Sequence, residues 1–292
     1  MVNDGDGPFG PVVNGTQIVF YPYRPNGGAA WTFLVLFAIG VAGHIGYFFW
    51  LRAWHFLPFI LGGVGEAFGY WGRTQASKDP VAVGPFIIQN LLILGSPPLF
   101  AASIYMSLGR IITTLHLRRH AMISPRLTAL FYVVVDIGCF VSQVFGSIMP
   151  ASGDASSIEL AKKIIMAGLL AQLAVIVLFT LSCWSSHRTA KKQGVDLNAV
   201  RAGVRWHKYY RMTYVVAGLM FVRSLVRGIE YLQGEGGFVM EHEIFIYLFD
   251  ALLMVAIMAL YLWIHPGMLM RDMARWNKEG FGDERNIMLE RR

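Results

Sequence analysis

The stretch EHEIFIYLFDALLMVAIMALYLWI, residues 241–264, decides the fold. It is long enough to cross a bilayer's hydrocarbon core, which takes about 20 helical residues. Yet it carries Glu243, Tyr247 and Asp250 at i, i+4 and i+7, a spacing that sets them on one helical face. An ionised side chain at bilayer depth costs about 2.5–3.5 kcal/mol on insertion scales, so such groups turn toward partners, water or a ligand. The same spacing recurs in Glu66–Tyr70–Arg73 and Arg223–Arg227–Glu230. Three such faces predict a shared polar pocket in the outer half of a membrane.

The rest of the chain agrees with a membrane reading. Of its 292 residues 55% are hydrophobic and 15% charged, and the mean hydropathy of +0.49 lies outside the soluble globular range. Apolar runs predict spans at 29–51, 55–72, 85–109, 127–149, 161–185, 209–229 and 241–264. The expectation is an all-α membrane protein of seven transmembrane helices. It would have an extracellular N-terminal segment at 1–28, a transmembrane domain at 29–267 and a cytosolic tail at 268–292.

The net charge of +7 is distributed by loop. Arg110, Arg118, Arg119 and Arg126 cluster after the third span, and Arg188, Lys191, Lys192, Arg201, Arg205, Lys208 and Arg211 after the fifth. The alternate loops are poor in base, and 230–242 carries Glu230, Glu235 and Glu241. This positive-inside pattern predicts an outside N-terminus and a cytosolic C-terminus, and basic loops beside anionic lipid need no nucleic-acid partner. The sequon Asn14-Gly15-Thr16 falls on the side expected to be outside. Residues 1–28 lack a basic stretch followed by an apolar one, so the first span is expected to direct insertion itself.

Local signals refine the spans. Gly65-Glu66-Ala67-Phe68-Gly69 fits a close-packing pattern, read as intramolecular packing, with a homodimer face as the alternative. Pro97-Pro98 removes backbone donors inside the third span and should kink it. His265-Pro266-Gly267 marks the end of the seventh, with an interfacial helix expected beyond. Cys139 and Cys183 lie within spans and read as small buried apolar residues. Tyr105 and Arg110 read as an interfacial anchor pair.

At mid-depth Asp136 and Gln143 stand seven residues apart on helix four, and Gln172 on helix five can join them. The carboxylates Glu66, Asp136, Glu230, Glu243 and Asp250 outnumber Arg73, Arg223 and Arg227. Internal ion pairing accounts for part of this set. The surplus points to a water-reached pocket that accepts a cation, so the candidate substrate-binding residues are the three trios with Asp136, Gln143 and Gln172. His44 has no ligand partner at helical spacing and reads as a hydrogen-bonded packing residue, so no metal is expected. The seventh span has no lysine for a retinal Schiff base. No phosphate loop, dinucleotide fingerprint or G-x-S-x-G occurs, so no cofactor is expected.

In order along the chain stand Glu66-x-x-Gly69-Tyr70-x-x-Arg73, Pro98-x-x-Ala101-Ala102-x-x-Tyr105-x-x-x-Gly109-Arg110 and Asp136-x6-Gln143-x-x-Gly146. Gly168-x-x-x-Gln172, Arg223-x-x-x-Arg227-x-x-Glu230, Glu243-x-x-x-Tyr247-x-x-Asp250 and His265-Pro266-Gly267 follow. This series resembles the fungal lipid-translocating exporters, the RTA-like membrane proteins, over nearly the whole chain. The resemblance implies a seven-helix plasma-membrane protein tied to stress or drug resistance, one that moves sphingoid bases or other lipophilic compounds.

Three functions compete on the residues. The first is translocation of an amphipathic lipid or lipophilic compound, a sphingoid-base-like cation docking its ammonium on Glu230, Glu243 or Asp250. The second is an acid/base isomerase or cyclase using Asp136, Asp250 or Glu66 on a lipophilic substrate. The third is a lipid sensor.

Overall fold

The computed structural model describes residues 8–13, 16–17, 19–115, 125–148, 155–192, 205–233 and 237–275. Asn14 and Gly15 of the sequon, Arg118, Arg119 and Arg201 of the basic loops, and the tail from residue 276 lie outside the described residues.

Helix α1 (Gly27–Leu51) begins where the Asn26 side chain accepts a hydrogen bond from the Ala29 amide at 3.1 Å, a standard N-cap. It ends at Arg52, whose φ of 50° is left-handed. A 3-10 turn, Trp54–Phe56, leads into α2 (Leu57–Ala76), with Pro58 in its first turn, where a missing N–H costs nothing. The orphan amide of Phe59 finds Ser103 Oγ on α3 at 2.9 Å.

The next helices are α3 (Val83–Thr114), α4 (Pro125–Ile148), α5 (Ala155–Lys192) and α6 (His207–Gln233). A single turn, Phe238–Glu241, precedes α7, which is built from Ile244–Ile246, a π-helical turn at Tyr247–Ala251, and Leu252–Trp263. Successive helices pack in sequence order, and α7 packs against both α1 and α6, closing a ring. Among the described residues six helices are long and apolar enough to cross a membrane. The 20-residue α2 is not one of them, because glycines, Glu66 and Arg73 dilute its apolar run. The protein is a helical, integral membrane protein.

Glycine explains how α2 sits inside the ring. A Cβ on Gly72 would lie 3.1 Å from the Gln89 amide nitrogen and the Pro85 carbonyl oxygen of α3, backbone atoms that cannot yield. One on Gly62 would lie 2.8 Å from the Phe100 ring. Gly65 and Gly69 also face α3, against Ser96 and Ile93, so the close-packing motif is used within the chain.

Several expectations need correction. The stretch 241–264 is not one regular helix: it breaks at His242 and widens into the π turn. The stop expected at His265 is present, and a further helix follows at 266–275, with the His265 ring accepting from the Gly267 amide at 3.0 Å. Tyr105 is no interfacial anchor: α3 runs on to Thr114, which leaves Tyr105 two turns inside and buried. The segment before α1 also holds a short ladder. Val12–Val13 pairs antiparallel with Thr16–Gln17, and Phe9 bridges Tyr21.

Candidate functional site

The polar residues gather along one column inside the ring. At the end nearest the N-terminal segment, Arg73 of α2 meets α7. Its Nη2 reaches Glu243 Oε1 at 2.7 Å, and its Nε donates to Tyr247 Oη at 3.0 Å. The Asn26 amide donates to the same Glu243 oxygen at 2.8 Å, and the Tyr247 hydroxyl lies 3.1 Å from the Asn26 carbonyl oxygen. The segment before α1 is thereby tied to α2 and α7. Tyr23 adds a hydroxyl 3.4 Å from Arg73, and Tyr21 donates to Gln89 Oε1 of α3 at 3.1 Å.

One turn deeper lies a second knot. Arg223 pairs with Asp250, and Arg227 reaches the other Asp250 oxygen at 3.3 Å. Arg227 also holds Glu230 at 3.0 Å on its own helix. The π turn presents Asp250 to both guanidinium groups, a local irregularity of the kind often found at functional sites. Arg223 Nη2 donates to the Ile93 carbonyl oxygen at 3.3 Å. That oxygen would serve residue 97 in a regular helix, but Pro97 has no N–H, so the proline creates the acceptor that the arginine uses.

Glu66 of α2 faces this second knot. It is fully buried, the charges of Asp250, Arg223 and Arg227 act on it, and neither carboxyl oxygen has a hydrogen-bond partner among the described residues. The Tyr70 hydroxyl, one turn along, is likewise buried and unpartnered. Its ring lies 6.2 Å from that of Tyr247, which links the two knots.

The other candidates fall elsewhere. Tyr105 donates to Asp136 Oδ2 at 2.8 Å, and Oδ1 has no hydrogen-bond partner among the described residues. Gln143 Nε2 donates to Gln172 Oε1 at 3.3 Å. These two glutamines, with Arg223, Arg227, Ser224 and Tyr231, line a narrow cleft between α3, α4, α5 and α6, whose cavity volume of about 10 Å³ is that of a single water. Its apolar lining is Leu94, Pro98, Phe140 and Leu169. Its lining is polar on one part and apolar on the other, the distribution of surface that an amphipathic molecule presents, and it must widen to admit one.

Of the expected substrate-binding set, Glu66, Tyr70, Arg73, Arg223, Arg227, Glu230, Glu243, Tyr247 and Asp250 share the column. Asp136 stands apart with Tyr105, and Gln143 and Gln172 join the cleft. Glu230, Glu243 and Asp250, each expected to receive an ammonium, are all held by arginines. Sequence reasoning missed Tyr21, Tyr23, Asn26, Ser224 and Tyr231. The Tyr21-Pro22-Tyr23 stretch held a signal, since paired tyrosines before a span are polar anchors. Among the described residues no cluster of His, Cys, Asp and Glu is placed to hold a metal. His44 hydrogen-bonds to the Met258 carbonyl at 3.1 Å, and Cys139 and Cys183 are buried and free, as read from the sequence.

Comparison with known proteins settles the lineage. The profile of the family described as RTA1 like protein matches residues 59–273. The chain belongs to the RTA1-like family. Both knots and the cleft fall within the matched region, while the N-terminal segment precedes it. Among RTA1-like relatives in Saccharomyces cerevisiae, Protein RTA1 is 32% identical over 272 residues, covering 84% of each chain. Protoporphyrin uptake protein 1 is 32% identical over 202 residues, 69% of this chain and 65% of the relative. Sphingoid long-chain base transporter RSB1 is 23% identical over 269 residues, 81% of this chain and 70% of the relative. No solved structure matches.

Proposed function

We propose that this RTA1-like protein translocates an amphipathic lipid or lipophilic compound between the leaflets of a membrane. The carrying observation is the cleft between α3, α4, α5 and α6, where Arg223, Arg227 and Gln143 meet an apolar lining. The polar head lies among these side chains while the chain or ring follows the apolar surface. Two relatives support this class of cargo by name, one a transporter of sphingoid long-chain bases and one a protoporphyrin uptake protein. A sphingoid-base-like cation is the cargo that the surplus carboxylates favour. Gln143 and Gln172 serve the head group from α4 and α5, and the two arginine knots tie α2, α6 and α7 together beside it.

The topology that goes with this reading has seven crossings, α2 included, an outside N-terminus and a cytosolic tail. It is supported by the loop charges and by the place of α2 within the ring. Residence in the plasma membrane, outward transport and a role in stress or drug resistance complete it. A homodimer would use a surface other than the Gly65–Gly69 face, which α3 occupies.

The test is reconstitution in proteoliposomes with a long-chain base, following the mass and leaflet of the lipid over time. The wild-type protein is expected to speed leaflet exchange of an unchanged mass, and Glu230→Gln to abolish it while the protein remains folded. A product of new mass would replace the proposal with an enzyme, and ligand binding without exchange would replace it with a sensor.

A further inference from the structure

The membrane-embedded charges of the column count unevenly. Arg73, Arg223 and Arg227 face Glu243, Asp250 and Glu230, and these six groups neutralise one another through the ion pairs described. Glu66 is a fourth carboxyl with no cation left for it. It is fully buried, and neither oxygen is hydrogen-bonded among the described residues. An ionised carboxylate so placed has lost its hydration without a hydrogen bond in return, and the arginines that act on it are already shared with Asp250 and Glu230, whereas a protonated one leaves the column neutral.

We infer that Glu66 carries an exchangeable proton, and that a cationic head group binding in the cleft displaces it. The inference rests on the translocation reading for its cargo, though the proton site stands without it. The titratable and charged groups acting on Glu66 are Asp250 from α7, Arg223 and Arg227 from α6, and Tyr70 on its own helix. From α3 the adjacent polar side chain is Ser96, packed against Gly65 and donating to the Leu92 carbonyl oxygen.

The exchange balances in charge. When the Glu66 O–H bond breaks and the proton leaves to water, the two α6 arginines gain a further carboxylate to pair with. Arg223 and Arg227 both line the cleft, and both hold Asp250. A swing of either toward Glu66 frees an oxygen of Asp250 or Glu230 for a monovalent cation, and the column is neutral again. An anionic head group would leave the column doubly charged, so the exchange selects cations. One proton moves for each cation, which couples cargo movement to a pH gradient without a nucleotide site.

The experiment uses the purified full-length protein in lipid and a single-chain quaternary-ammonium amphiphile, whose charge does not change with pH. Infrared spectra at neutral pH are expected to show a protonated-carboxyl stretch that shifts in deuterated water. The Glu66 component should vanish in Glu66→Gln and persist in Asp136→Asn, which removes any component from the other buried carboxyl. Adding the amphiphile should bleach the band and release about one proton per molecule bound. Affinity should then rise about tenfold per pH unit, the slope that release of one proton imposes. Glu66→Asp should retain the release with a displaced band, which guards against a Glu66→Gln variant that fails to fold. A carboxyl band left unchanged by Glu66→Gln, or amphiphile binding without proton release, overturns the inference. Proton release with no leaflet exchange would instead sink the translocation reading and leave the proton site standing.

Discussion

At the residue scale the energetics are those of buried ion pairs. Removing one partner strands the other charge, at a cost of about 3–5 kcal/mol, whereas replacing both with apolar residues is often neutral. Asp250→Ala leaves Arg223 without its carboxylate and Arg227 with Glu230 alone. A loss of that size is expected in unfolding midpoints measured in mild detergent. The pair Arg223→Leu with Asp250→Leu should recover much of it, since the stranded charge is then absent. A single variant that costs nothing would show that water already reaches this knot.

Tyr21 gives a pH dependence outside the spans. Burial pushes its phenol up to about 12, partly opposed by the Arg73 charge. The neutral phenol donates to Gln89, so the folded protein resists ionising it. With the folded pKa above the ordinary value of about 10, this contribution is complete below pH 10 and fades as pH rises toward 12. Tyr21→Phe is expected to flatten that decline in a thermal melt series between those values.

At the element scale, α2 and α3 are fitted to each other. Gly72→Leu drives a side chain into the α3 backbone 3.1 Å from the added Cβ, and overpacking of this kind costs about 1–3 kcal/mol. Gly46 on α1 has nothing within 4 Å, so Gly46→Ala is the control expected to leave the melting temperature unchanged or slightly raised. Pro97→Ala tests a subtler dependence. It restores a helical donor to the Ile93 carbonyl, which now accepts from Arg223. The expected result is equal or greater thermal stability with slower leaflet exchange, because the arginine loses an anchor beside the cleft.

At the scale of the whole molecule, the N-terminal segment closes one end of the ring. Asn26 caps α1 with its side chain and joins Glu243 and Tyr247 with its backbone. Asn26→Ala is expected to cost about 1 kcal/mol for the lost cap, read from the detergent unfolding midpoint, while the backbone contacts persist. The proposed topology predicts that Asn14 is glycosylated in microsomes. A glycosidase-sensitive mass shift lost in Asn14→Gln would confirm it, and its absence with basic loops exposed on the lumenal side would reverse the orientation.

The sequence by itself determined that this is a helical membrane protein and which charged side chains form its polar column. Span length, hydropathy and i, i+4, i+7 spacing are local properties, and a charged face in an apolar helix has nowhere to point but inward. The glycines of α2 also announced close packing before any partner was known. Only the tertiary structure decided the pairings. It set Arg73 on Glu243 and both α6 arginines on Asp250, and it left Glu66 alone. Which carboxylate meets which cation depends on helix rotation and on the π turn at Tyr247–Ala251, and neither is written in a repeating pattern. Tyr105 shows the same limit, since its depth followed from how far α3 continued. The docking of Tyr23 and Asn26 onto α2 and α7 joins residues distant in sequence, and no local preference encodes such a contact.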